Sequence, residues 1–290
     1  MILEFDGVTK SYGSVRALDD LSFRVDRDEI VAMLGPNGAG KTTALEIALG
    51  LRASDSGSVG LFGGSPRDVA VRRRLGATPQ DSGFPDALRV GEIVAFAATH
   101  YPRPGSVEET LGAFGLESLR GRPTGTLSGG QSRRLALALA FVGNPELAVL
   151  DEPTTGLDVE SRRRLWDVVR GAAAGRSILF TTHYLEEAEA LATRILVIDR
   201  GRLRFDGGAR ELRERFGAKR LAYVGVPLEP GALAPAATVV RVDDRTVVTT
   251  ADSDAYVRAL VKSGVSFSDL EIGSPSLEEA FLSMTGGSKS

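Results

Sequence analysis

The chain has 290 residues, 42% apolar and 25% charged, with a net charge of −3 and no cysteine. That length buries a sizeable core without staples and suits one large domain or two ordinary ones. The balance excludes general disorder, collagen and coiled coil, a strong pull toward nucleic acid or an acidic membrane, and any disulfide scaffold, thiolate nucleophile or Cys-held metal.

Residues 1–6 carry neither the basic stretch nor the apolar run of a signal peptide. The longest apolar run, 135–143, is far short of the roughly 20 residues that span a bilayer. The expectation is a soluble chain in a reducing compartment that meets a membrane only through a partner. An apolar run over 30–34, a glycine-rich stretch over 35–42 and an Ala/Leu-rich segment over 43–51 read as strand, loop and helix. Between 84 and 101, Ile93, Phe96 and Ala97 recur at helical spacing and are expected in a core. Phe84 sits beside Pro85 in a Gly/Pro/Asp loop and is either a docking residue or a side chain folded back on its own subdomain. Leu135, Leu137 and Leu139 alternate with alanines, a strand period. Composition decides for helix, since Ala and Leu are the strongest helix formers and Ser128 stands ready as an N-cap.

Buried strands over 147–150, 177–181 and 195–198 alternate with helices over 161–173 and 185–192. That alternation predicts a parallel α/β sheet. After residue 216 the pattern changes to strands over 221–226, 238–242 and 245–250, a helix over 253–262, a strand over 266–272 and a helix over 276–284. This is a small α+β unit, with a loop over 227–235 and a disordered tail over 286–290. The arginine clusters at 72–74 and 162–164 read as solvated helix faces.

Gly35-Pro36-Asn37-Gly38-Ala39-Gly40-Lys41-Thr42 matches G-x-x-x-x-G-K-[ST]. Its glycines let the backbone wrap a phosphate chain, and the helix that follows presents a positive N-terminal dipole. Lys41 is a cation for the β- and γ-phosphates, and the Thr42 hydroxyl suits Mg²⁺. Asp151 and Glu152 end an apolar strand, where open α/β sheets bind ligands. One acid can hold a metal and the other can activate water. Ser128-Gly129-Gly130-Gln131 opens a helix and forms a second candidate anion site.

In these motifs the chain resembles the ATP-binding subunit of ATP-binding cassette (ABC) transporters over about residues 1–215. Residues 35–43, ending in Thr43, resemble the Walker A loop, 127–131 the signature and 147–152 the Walker B strand. The resemblance extends to Tyr12 as the aromatic that stacks on adenine, Gln80 as the Q-loop glutamine, Asp158 in the D-loop and His183 as the switch histidine. It implies a P-loop cassette with a RecA-like core, an N-terminal β-subdomain and a helical subdomain at about 82–140, followed by an α+β accessory domain over 216–290. ATP and Mg²⁺ are the implied cofactors, the metal held by Thr42, Gln80 and Asp151. Glu152, His183 and Lys41 are the implied catalytic residues. The implied assembly is a head-to-tail homodimer in the ATP-bound state, each signature capping the other copy's ATP, bound to integral membrane permease subunits on the cytoplasmic face. No nucleic acid is expected. Residues 275–286 resemble the end of the C-terminal extension in ATPases of bacterial ABC-2-type drug and antibiotic exporters. The alternative, a soluble ABC ATPase of translation or nucleic-acid work, calls for two cassettes in one chain or a coiled coil between the Walker motifs; 43–147 has no heptads. Lys41 and Glu152 argue against a catalytically dead scaffold.

Overall fold

The computed structural model describes residues 1–78, 83–228, 238–250 and 252–285. Gln80, residues 229–235 of the expected loop and the 286–290 tail lie outside the described residues. The chain forms two compact units, Met1–Gly207 and Gly208–Ser290, so the break falls shortly before the boundary expected between 215 and 216.

In the first unit the order is β1 (Leu3–Tyr12), β2 (Val15–Val25), β3 (Ile30–Leu34), α1 (Lys41–Ala48), β4 (Ser56–Leu61), α2 (Val69–Arg72), β5 (Leu75–Thr78), α3 (Val90–Ala98), α4 (Val107–Ala113), α5 (Gly129–Phe141), β6 (Leu147–Leu150), α6 (Val159–Ala172), β7 (Ser177–Thr181), α7 (Leu185–Leu191), β8 (Arg194–Asp199) and β9 (Arg202–Gly207). An antiparallel sheet in the order β2-β1-β4 forms the N-terminal β-subdomain. Leu3, Phe5 and Val8 are buried on β1, as are Leu18, Leu21, Phe23 and Val25 on β2. Phe5 and Phe23 are in register, with rings stacked 4.5 Å apart.

The central sheet runs β5-β6-β7-β3-β8-β9, parallel except for β9. Strands β6 and β7 are buried along their whole length, and β3 and β8 along most of theirs. Continuous apolar runs of this kind belong to strands covered on both faces. Strands β6, β7 and β3 are neighbours and point the same way. The segments leaving their C-terminal ends therefore emerge at one edge, and this positions the site.

The ambiguous leucine–alanine stretch is helix α5, buried at Leu135, Ala136, Leu137, Ala138 and Ala140. Phe96 departs from expectation: it is 69% exposed. Helix α3 buries the stripe Val90, Ile93 and Val94. Phe96 lies on the flank of that stripe and packs edge-on against His100, with centroids 5.0 Å apart. Phe84 is half-buried. The arginine clusters are also not wholly solvated. Arg74 pairs with Glu146 and lies over the Phe62 ring, and Arg162 lies over Tyr184.

The second unit contains α8 (Ala209–Phe216), β10 (Lys219–Gly225), β11 (Thr238–Val242), β12 (Arg245–Thr250), α9 (Ser253–Lys262), β13 (Phe267–Gly273) and α10 (Leu277–Met284). Its antiparallel sheet runs β11-β12-β10-β13. Tyr256 and Leu260 of α9 share a buried cluster with Leu221, Tyr223 and Val248 of the sheet.

Candidate active site

Between β3 and α1 the chain makes a tight loop whose glycines are dictated by their surroundings. A Cβ at Gly35 would stand 2.2 Å from the carbonyl oxygen of Ile198 on β8. Gly40, the N-cap of α1, has φ +106°, and a Cβ there would meet the Ala17 carbonyl oxygen at 2.3 Å. The loop thus leads into the N-terminus of α1, where unpaired N–H groups and the helix dipole favour an anion. Lys41 is buried and donates from Nζ to the carbonyls of Gly35 (2.7 Å) and Pro36 (3.1 Å). Burial pushes the Lys41 ammonium pKa down, while the negative charges of Glu152 and Asp151 oppose that shift.

Asp151 and Glu152 follow β6. Asp151 is buried, and its carboxylate accepts a hydrogen bond from the Thr181 hydroxyl at 2.5 Å. The same hydroxyl accepts the Glu152 N–H at 2.9 Å. Glu152 has φ +46°, a conformation uncommon outside glycine. Its Oε2 accepts from the Thr155 hydroxyl at 2.8 Å and lies 3.4 Å from Nδ1 of His183. His183 leaves the end of β7 and is 40% exposed at its side chain.

One open cleft of 560 Å³ is lined by Tyr12, Ala17, Asn37, Gly38, Ala39, Gly40, Lys41, Thr42, Thr43, Glu152 and His183, while the buried Asp151 is not part of its lining. Gly35 and Pro36 form the loop's base through their carbonyls. Ser128, Gly129, Gly130, Gln131 and Asp158 do not line the cleft. Ser128 caps α5, and Gln131 returns a side-chain acceptor to the Ser128 N–H at 2.9 Å. Asp158 caps α6 through the Ser161 N–H at 2.9 Å, and hydrogen bonds from Ser161 hold its carboxyl below the usual range. Sequence reasoning missed Thr181 and Thr155. Thr155 lies only three residues from Glu152, and a hydroxyl in that turn is its signal; Thr181 becomes visible only through the β6–β7 register.

The family profile described as ABC transporter matches residues 18–155. The chain belongs to this family, as an ATP-binding and ATP-hydrolysing cassette subunit. It is 37% identical to a daunorubicin resistance ATP-binding protein of Streptomyces coeruleorubidus, over 97% of this chain and 95% of that protein. It is 38% identical to a Nod factor export ATP-binding protein I of Burkholderia thailandensis, over 98% of this chain and 97% of that protein. A solved ATP-binding subunit of an ABC transporter superposes with a TM-score of 0.67 at 29% identity, covering 75% of this chain and 94% of that one. A dimeric ATP-binding cassette in a post-hydrolysis state, bound to ADP and Pi, superposes with a TM-score of 0.65 at 25% identity, covering 71% and 98%.

Proposed function

We propose that this chain powers an exporter: two copies close on ATP and drive separate integral membrane permease subunits from the cytoplasmic face. The observation that carries the chemistry is the convergence of Glu152 and His183 on the cleft that holds Lys41 and Thr42. Glu152 is the general base. It takes a proton from the attacking water as the water oxygen bonds to the γ-phosphorus and the bond to the bridging oxygen breaks, leaving ADP and phosphate. His183 orients that water and the carboxylate. Lys41, already bonded to two loop carbonyls, holds the β- and γ-phosphates. Tyr12, 41% exposed at the mouth of the cleft, stacks on adenine.

Thr42 and Asp151 offer hard oxygen donors, a hydroxyl and a carboxylate, which suits Mg²⁺ shared with nucleotide phosphates. Gln80 is assigned as a further ligand on resemblance alone. Held there, Mg²⁺ would supply positive charge to offset that of the phosphates.

Ser128, Gly129, Gly130 and Gln131 serve the other copy's nucleotide. Ser128 and Gly129 are exposed and stand away from their own cleft, which favours that trans role. Asp158 lies in the same interface. The first unit is the cassette, with a helical subdomain at about 82–140, and the second unit is an accessory domain. Among the described residues, no helix is long and apolar enough to cross a membrane. The export path then lies in the permease, for which Phe96 and Leu88 on the helical subdomain are exposed apolar contacts. The relatives' names, drug resistance and Nod factor export, favour export over a soluble role. The net charge of −3 gives no attraction to nucleic acid.

The test is Glu152→Gln, which keeps the side chain's shape but cannot accept the proton. It should bind Mg-ATP, accumulate as an ATP-bound dimer and turn over about 10²–10⁴-fold more slowly. Turnover at the wild-type rate would remove Glu152 as the base.

A further inference from the structure

Helix α5 begins at the Ser128 cap, and one turn into it stands Arg133, a long cationic side chain only 8% exposed. Its guanidinium reaches across to the segment that follows β6. Nε donates to the Pro153 carbonyl at 2.8 Å. A terminal nitrogen donates to the Asp151 carbonyl at 3.2 Å and also to the Glu152 carbonyl. One side chain therefore grips three successive carbonyls. The middle one belongs to a residue held at φ +46°, a backbone state that persists only where its surroundings impose it. The Thr181 hydroxyl restrains the N–H side of Glu152, and Arg133 restrains the C=O side.

We propose that Arg133 is a positioning residue for the hydrolytic base: it fixes the Glu152 backbone in the turn that aims the carboxylate into the cleft. This rests on the reading of Glu152 as the base. The grip also ties the base to the start of α5. Any movement of the Ser128–Gly129 end reaches the Glu152 carbonyl through one side chain, four residues along the helix from Gly129. The planar fork matters, because three carbonyls at different positions need donors spread over a rigid plane. A lysine ammonium concentrates its donors at one point on a shorter, flexible stem.

The experiment uses the full chain, with ATP affinity, thermal midpoint and single-turnover phosphate release measured for Arg133→Lys, Glu152→Gln and the double variant. Arg133→Gln, which serves fewer carbonyls without a buried charge, is a second test of the same pattern. For the Arg133 variants the expected result is an ATP Kd within about twofold of wild type and a kcat lower by about tenfold to a hundredfold, as small misplacements of catalytic groups produce. In the Glu152→Gln background, Arg133→Lys should change the residual rate by less than about twofold, because positioning a group that cannot accept a proton has no value. A wild-type kcat in either folded Arg133 variant overturns the proposal while leaving the base intact. Equal losses in both backgrounds, or a kcat that falls only in step with ATP affinity and thermal midpoint, also overturn it. Wild-type turnover by Glu152→Gln overturns the base itself, and the Arg133 proposal falls with it.

Discussion

Glu187 is the carboxylate that the chemistry does not use, and its burial gives a stability prediction with a definite sign. It lies on α7 with 0% exposure. One oxygen accepts from the Trp166 indole N–H at 3.2 Å. Among the described residues, the other oxygen has no hydrogen-bond partner of good geometry, although the Thr182 and Thr154 hydroxyls stand near the carboxylate. Burial pushes the Glu187 carboxyl above its ordinary value of 4.5, and Thr182, Thr154, Trp166 and Arg162 pull it back only in part. The unfolded chain gives up this proton near 4.5, whereas the folded chain keeps it to higher pH. Stability is therefore fully present below 4.5 and is lost as pH rises toward the raised folded value, by about 1.4 kcal/mol for each pH unit within that window. Glu187→Gln keeps the shape and the neutral state at every pH. For a unit of this size one pH unit of the window corresponds to roughly 3–5 °C in Tm. Calorimetry of both proteins from pH 4.5 to 8 should show equal midpoints at the acid end and a variant that is the more stable at pH 8, by a gap that opens as pH rises above 4.5. A gap that is constant across pH, or a variant less stable at pH 8, would refute the reasoning.

Tyr12→Ala should weaken ATP binding in calorimetric titration, while Tyr12→Phe and Tyr12→Trp keep most of the affinity through the π-face; equal affinity in all of them removes Tyr12 from the site. Gly35→Ala drives a methyl toward the Ile198 backbone, which cannot swing aside as a side chain could. It should cost about 1–3 kcal/mol in denaturant unfolding and abolish nucleotide binding. Lys41→Ala and Ser128→Arg should each be inactive alone. Mixed under conditions of proven exchange, they should recover part of the ATPase rate, since a head-to-tail pair leaves one site without a lesion; no recovery counts against the sandwich.

The phosphate loop and the acid pair were legible because their chemistry is local: eight consecutive residues define one, and an apolar strand with two terminal acids defines the other. Helix α5 was legible by composition against its own periodicity. What was not legible depends on register and packing. The antiparallel strand β4, Ser-Gly-Ser-Val-Gly-Leu, has little strand character of its own and is defined by pairing with β1. Thr181 meets Asp151 only because β6 and β7 lie in register. Phe96 had the right spacing for a core, but helical spacing alone does not tell the centre of a buried stripe from its flank. Helix α8 buries only Leu212; its sequence does not say that it packs with α10, which puts it in the second unit.

The hairpin joining β8 to β9 gives the phosphate loop a dependence on distant chain. Gly201 at its tip donates to the Ala39 carbonyl at 2.9 Å and accepts from the Asp19 N–H at 3.0 Å, and Arg202 pairs with Asp19 at 2.7 Å. Gly35 leans on the Ile198 carbonyl of the same hairpin. A loop specified by residues 35–42 is therefore braced by residues near 200, and its contacts are among the most non-local in the first unit. Chain emerging from a ribosome holds the whole phosphate-loop motif long before the brace exists, and long-range closures of this kind form late. Nucleotide binding should thus switch on during synthesis only after residue 207 has cleared the exit tunnel, so the nascent chain passes most of its elongation unable to engage ATP.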